Sequence, residues 1–192
     1  MKRSNWVLLI LLAVVSLALA VACGSSSSTS GASSSQPVES VWTDPTTGLM
    51  WQNGSAVGSN VYTWAGAKDY CTELTWAGYN GWRLPAISEL RSLIRGCAAT
   101  ETGGPCGVTD LCWASSCDDA ACHGCSEETG GPGLSGAYWP PQIADIPNYY
   151  WSSTTVADYD IYAWIVGFGD GDVEPNGLHG VSYGSVALCV RP

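Results

Sequence analysis

The chain has 192 residues, 46% hydrophobic and 12% charged, with 23 Gly, 9 Cys and 10 Trp, which is the scale of one compact domain. Seven Lys and Arg against seventeen Asp and Glu give a net charge of -10, and such an acidic chain repels phosphate backbones and anionic head groups, excluding nucleic acid and electrostatic membrane binding as primary functions. Ten Trp and nine Tyr supply far more buriable surface than a disordered chain carries.

Lys2 and Arg3 precede an apolar run from Trp6 to Ala22 that ends on small residues. This order predicts a signal peptide over residues 1–22, although the run also overlaps the lower length limit of a membrane span. Ala20-Val21-Ala22 before Cys23 resembles a bacterial lipobox, in which Cys23 takes a diacylglyceryl thioether and becomes the new N-terminus. The same residues read as an A-x-A site for ordinary signal peptidase, which would leave a secreted or periplasmic chain. Either cut removes Lys2 and Arg3, leaving five cations against seventeen acids, a charge of -12. Gly24 to Gln36 is almost entirely Ser, Gly, Ala and Thr, which buries no core and behaves as a flexible coil. Residues 23–40 are thus expected to be a lipid-anchor cysteine and Ser-rich tether, with the folded domain at 41–192. Gly24 and Ser25 lack the Asp that tends to retain lipoproteins at the inner membrane, so the expected location is the outer membrane or cell surface, with the membrane touched only through the lipid.

The first expected element is a short strand near Leu49 to Gln52. Thr63, a good N-cap residue, precedes Trp64, Ala67, Tyr70, Cys71 and Leu74 at helical spacing, predicting a helix over 63–76 that Gly78 and Gly81 stop. Pro85 opens a second helix with Ile87, Leu90, Leu93 and Ile94 on one apolar face. Position 86 is Ala, so Glu89 is expected to lack a capping-box partner. Strands return at 149–154, at 161–168 with alternation through Tyr162, Trp164 and Val166, and at about 184–191. Two helices first and most strands last predict an α+β domain.

Between the helices and the late strands lies a cysteine-rich stretch. Apart from Cys23 the chain holds Cys71, Cys97, Cys106, Cys112, Cys117, Cys122, Cys125 and Cys189, and an even count in an exported chain predicts four disulfides among 105 formal pairings. Six of them crowd into 97–125, where large apolar residues are few and burial alone could not hold a shape. The rival reading of Cys112, Cys117, Cys122, His123 and Cys125 is a zinc site, for which only Cys122 and Cys125 have the C-x2-C spacing. Cys122-His123-Gly124-Cys125 also suggests a redox pair, without the strand-to-helix context such pairs need.

Asp44-Pro45-Thr46-Thr47-Gly48-Leu49-Met50-Trp51, the helix carrying Tyr70-Cys71, Gly81-Trp82-Arg83-Leu84-Pro85 with Glu89-Leu90, Tyr150-Trp151-Ser152-Ser153-Thr154, and Cys189-Val190-Arg191 occur in an order that resembles the DUF1566, or Lcl C-terminal, domain family. The resemblance runs from about Val41 to Pro192. It implies a C-type-lectin-like mixed fold, with two helices, a twisted antiparallel sheet and here a long disulfide-rich loop insertion over 97–148. It also implies a bridge from Cys71 to Cys189 that ties the first helix to the last strand. A loop of that length corresponds to roughly 4 to 5 kcal/mol in the chain-entropy model. Family roles centre on adhesion and glycan binding, but a charge of -12 argues against sulphated polysaccharides, which need basic clusters.

The side chains of these motifs read as scaffold: Trp51, Trp82, Trp151 and Trp164 as core, and Arg83 as paired with a carboxylate or backbone carbonyls. The candidate metal site is Asp170, Asp172, Glu174 and Asn176, oxygen ligands spaced by small or turn-forming residues in the manner of a calcium loop; the rival reading is a solvated hairpin turn. Glu174-Pro175-Asn176 matches the sugar-and-calcium tripeptide of mannose-type lectins, yet Val181 to Cys189 lacks their Trp-Asn-Asp motif. Trp113, Tyr138, Trp139 and Tyr159 are candidate stacking platforms for sugar rings, with packing under the insertion as the alternative. His123 and His179 lack a nucleophile in a recognisable triad motif, and the thiol that a formylglycine-generating oxidoreductase would need is taken if Cys189 is bridged. The expectation is a non-catalytic surface lipoprotein for recognition or adhesion, with a glycan or a surface protein as partner, or else a structural module of the envelope.

Overall fold

The computed structural model describes residues 40–54, 60–125, 130–145, 147–178 and 185–192. The signal peptide, Cys23, the tether and His179 lie outside the described residues. The elements run in the order β1 (Val41–Thr43), β2 (Met50–Gln52), α1 (Trp64–Glu73), α2 (Ile87–Arg91), β3 (Tyr149–Val156), β4 (Tyr159–Gly167), β5 (Asp172–Gly177) and β6 (Val190–Arg191). The fold is α+β, but the single sheet expected from the sequence is two antiparallel three-stranded sheets, ordered β1-β2-β6 and β3-β4-β5. No helix among the described residues is long and apolar enough to cross a membrane.

Thr63 caps α1 as expected, its side chain accepting from the Gly66 N–H at 3.2 Å, and the helix buries Ala67 and Cys71. Helix α2 is shorter than its apolar face, because Leu93 and Ile94 are buried beyond its end. Glu89 does find a capping role: its carboxylate accepts from the Ala86 N–H at 2.9 Å, the half of a capping box that needs no side chain at the N-cap.

The second sheet is the wall between two cores. Along β3 and β4, Tyr150, Trp164 and Val166 enter one cluster with Trp51, Leu90, Trp139 and Phe168. Trp151, Ala163 and Ile165 enter the other, with Ala67, Cys71, Trp82 and Leu84. This is the period-two alternation of a strand covered on both faces. Indole N–H groups pin distant segments to this wall: Trp64 donates to the Ser152 carbonyl at 2.8 Å, Trp151 to Tyr62 at 2.9 Å and Trp164 to Trp113 at 3.0 Å. The four tryptophans expected in the core are all there.

Four disulfides form: Cys71–Cys189, Cys97–Cys125, Cys106–Cys122 and Cys112–Cys117. The first joins α1 to the residue before β6, as the resemblance implied. The other three staple the insertion, and because Cys122 and Cys125 are committed to different partners, both the zinc and the redox readings of that motif fall. A buried cation also organises the insertion. The Arg91 guanidinium, 3% exposed, donates to the carbonyls of Thr100, Glu101 and Val108, and burial lowers its pKa.

Strand β5 was not expected. Residues 172–177 extend beside β4, and only 168–171 make the turn, so the hairpin-turn reading of Asp170 to Gly177 is corrected. Pro175 masks a strand in sequence, yet β5 is the edge of its sheet, where a missing N–H is tolerated.

Candidate functional site

The strongest candidate site sits at the tip of the β3–β4 hairpin. Residues 159–162 of β4 project beyond the covered part of the sheet, whereas 163–167 are buried. Tyr159 is 54% exposed and Tyr162 36%. Their rings stand at 87° with centroids 6.3 Å apart, two walls of a corner. Val156, Pro175 and Ser115 complete a cleft of about 320 Å³.

The floor and rim come from different parts of the chain. Pro175 reaches the site because it pairs with Trp164 across β4 and β5. Ser115 comes from the insertion, where its N–H donates to Asp158 at 2.7 Å and its hydroxyl donates to the other carboxylate oxygen. These Ser115 bonds hold the Asp158 carboxyl below its ordinary pKa, so it is ionised at neutral pH. The Trp113 carbonyl accepts from the Ala157 N–H and from the Trp164 indole, both at 3.0 Å. The Cys112–Cys117 bridge closes a short loop around Trp113 and Ser115, giving the far wall a fixed shape.

The four predicted stacking residues divide cleanly. Trp113, 40% exposed, and Tyr159 lie at this end of the molecule. Tyr138 and Trp139, 3% and 0% exposed, are core, and their reading as platforms is corrected. Trp139 packs on Phe168 and Tyr150 at centroid distances of 5.0 and 5.7 Å, so no face remains for a ligand. Pro140 and Pro141 next to it instead line a second cleft of about 350 Å³ with Trp42, Arg95 and Gln142. Tyr162, Val156, Pro175 and Ser115 were missed as site residues. The signal for Tyr162 was that Asp158 to Tyr162 reads Asp-Tyr-Asp-Ile-Tyr, alternating charge with large apolar groups beyond the point where a sheet can cover both faces.

Of the candidate calcium ligands, Asp170 lies in the turn before β5 and Asp172, Glu174 and Asn176 lie along β5 itself. Asp172, Glu174 and Asn176 pair with Gly167, Ile165 and Ala163 and so share the sheet face opposite Pro175. The Asp172 carboxylate is 8% exposed and accepts from the Gly167 N–H at 3.1 Å. Asn176 donates to the Ser185 hydroxyl at 2.9 Å. Burial first, then the neighbouring Asp170 and Glu174, push Asp172 up to about 8. No group of three or more His, Cys, Asp or Glu placed to hold a metal ion occurs among the described residues.

The model of the Lcl C-terminal domain matches residues 40–191. The chain belongs to the Lcl C-terminal domain family. Comparison with curated proteins and with solved structures gave no match. In this Lcl C-terminal domain the shared motifs are structural. Asp44 turns β1 into β2, accepting from the Thr46 N–H at 2.9 Å and the Thr47 hydroxyl at 3.0 Å, and Arg83 binds Glu89. The cleft lies outside those motifs, on the hairpin tip and the cysteine-rich insertion.

Proposed function

We propose that this Lcl C-terminal domain is a non-catalytic recognition module, lipid-anchored through Cys23 at a bacterial surface, that binds glycans in the Tyr159–Tyr162 cleft. The observation that carries the reading is the corner of two exposed tyrosine rings over a cleft of about 320 Å³. Aromatic faces offer sugar C–H groups an apolar platform, and a largely preformed concave site keeps the ordering cost of binding low. A C-type-lectin-like fold accords with the two helices and with the Cys71–Cys189 bridge between the first helix and the last strand. The four disulfides fit an oxidising compartment. The test is a glycan array on the oxidised full chain, with calcium and with EDTA. Binding that is indifferent to EDTA and lost in Tyr159→Ala and Tyr162→Ala supports the reading; EDTA-sensitive binding moves the site to Asp170–Asn176. A protein-interaction role is the second reading, favoured by Leu111 and Ile161, 94% and 55% exposed. It takes over if no glycan binds and one defined surface protein is captured instead.

A further inference from the structure

The cleft is lined by apolar groups and Ser115, with the Asp158 carboxylate held beside it through Ser115. Asp158 and Asp160 flank Tyr159. The five cations of the domain are all engaged elsewhere. Lys68 lies over the Trp64 ring, 4.1 Å from its centroid. Arg83 binds Glu89, and Arg91 is buried on carbonyls. Arg95 lies 4.0 Å from Asp44, and Arg191 sits over Tyr79. None of them lines the cleft, so the local field is negative without a compensating charge.

Two tyrosine faces at right angles and flanking carboxylates are complementary to a cation held against an apolar surface. The ring quadrupoles attract an ammonium, the carboxylates neutralise it, and the flat rings accept the C–H face of a sugar. We infer that the cleft selects amino sugars carrying a free, protonated amine, over N-acetylated, uronic or sulphated ones. The inference rests on the glycan reading of the same cleft and names its ligand class. N-acetylation leaves the stacking surface of the ring but removes the charge, and sulphate or carboxylate groups meet repulsion from Asp158 and Asp160.

A matched pair of probes tests this: a short β-1,4-linked glucosamine oligomer and its N-acetylated counterpart, titrated calorimetrically into the oxidised full chain at low and high salt. The free-amine oligomer is expected to bind about tenfold tighter at low salt, with the preference shrinking at high salt as added ions screen the carboxylates. In Asp158→Asn/Asp160→Asn the two affinities should converge. Asn retains an acceptor for the Ser115 N–H, and an unchanged near-ultraviolet circular dichroism spectrum reports the intact fold. Tyr162→Leu, which keeps an apolar wall and removes the quadrupole, should weaken the amine form more than the acetylated one. Equal affinities, both lost in Tyr159→Ala/Tyr162→Ala, would overturn the amine preference and leave the glycan reading standing. A preference that survives both the carboxylate and the Tyr162→Leu changes would overturn it as general attraction to an acidic chain. Absence of binding by either oligomer overturns it as well, and the array then decides the glycan reading separately.

Discussion

Arg83 and Glu89 meet as a two-pronged ion pair, Nη1 to Oε2 and Nη2 to Oε1, each at 2.6 Å. Because Oε2 also accepts from the Ala86 N–H, this one carboxylate joins the segment before α2 to the start of the helix. Burial pushes the Glu89 carboxyl up, but the bonds from Arg83 and Ala86 outweigh it and hold the pKa below the ordinary value.

Glu89→Gln should therefore cost about 1 kcal/mol at neutral pH, a modest figure because Arg83 is 43% exposed and solvent screens the pair. A lowered carboxyl contributes stability that is present above its unfolded pKa and lost as pH falls through the folded one. Urea unfolding of both forms should show a gap near pH 7 that closes near pH 2; a gap independent of pH would contradict the pairing.

Asp172 works in the opposite sense. Its folded pKa is raised to about 8 from 3.8, so the folded chain holds a proton that the unfolded chain has released. That stabilisation is complete below pH 3.8 and disappears as pH rises to about 8. The thermal midpoint should fall across this window, and Asp172→Asn, which keeps an acceptor for the Gly167 N–H, should flatten the fall and raise the midpoint by a few degrees on the alkaline side. Calorimetry over the pH series checks this, and an unchanged slope in the variant would exclude Asp172 as its source.

The disulfides should differ in weight. Cys71 and Cys189 are 118 residues apart and Cys112 and Cys117 five, so chain-entropy reasoning gives losses of about 5 and about 2 kcal/mol for paired Cys→Ser changes. Denaturant midpoints measure both. The smaller loss should come with the larger effect on ligand binding, because the 112–117 loop carries Ser115 into the cleft.

Trp139→Ala and Tyr159→Ala separate core from site. The first empties a fully buried position and should destabilise by about 3 to 5 kcal/mol. The second should change stability by no more than about 0.5 kcal/mol while abolishing glycan binding. Comparable destabilisation by both would mean that Tyr159 is packing rather than platform.

By itself the sequence determined what depends on neighbours a few residues away. The Thr63 cap and apolar spacing specify α1, alternation through Trp164 and Val166 specifies β4, and an even cysteine count specifies four bridges. The family motifs mark Trp51, Trp82, Trp151 and Arg83 as scaffold, and all four serve as such.

Tertiary structure alone decided the rest. Trp139 and Tyr159 are equally aromatic, but Phe168 and Tyr150 close over one while β4 runs past its cover at the other. Pro175 and Ser115 reach Tyr162 only through sheet pairing and the Asp158 link, which join positions far apart in sequence. Periodicity and capping act within a turn or two of chain, whereas burial of a side chain depends on which distant segment arrives to cover it.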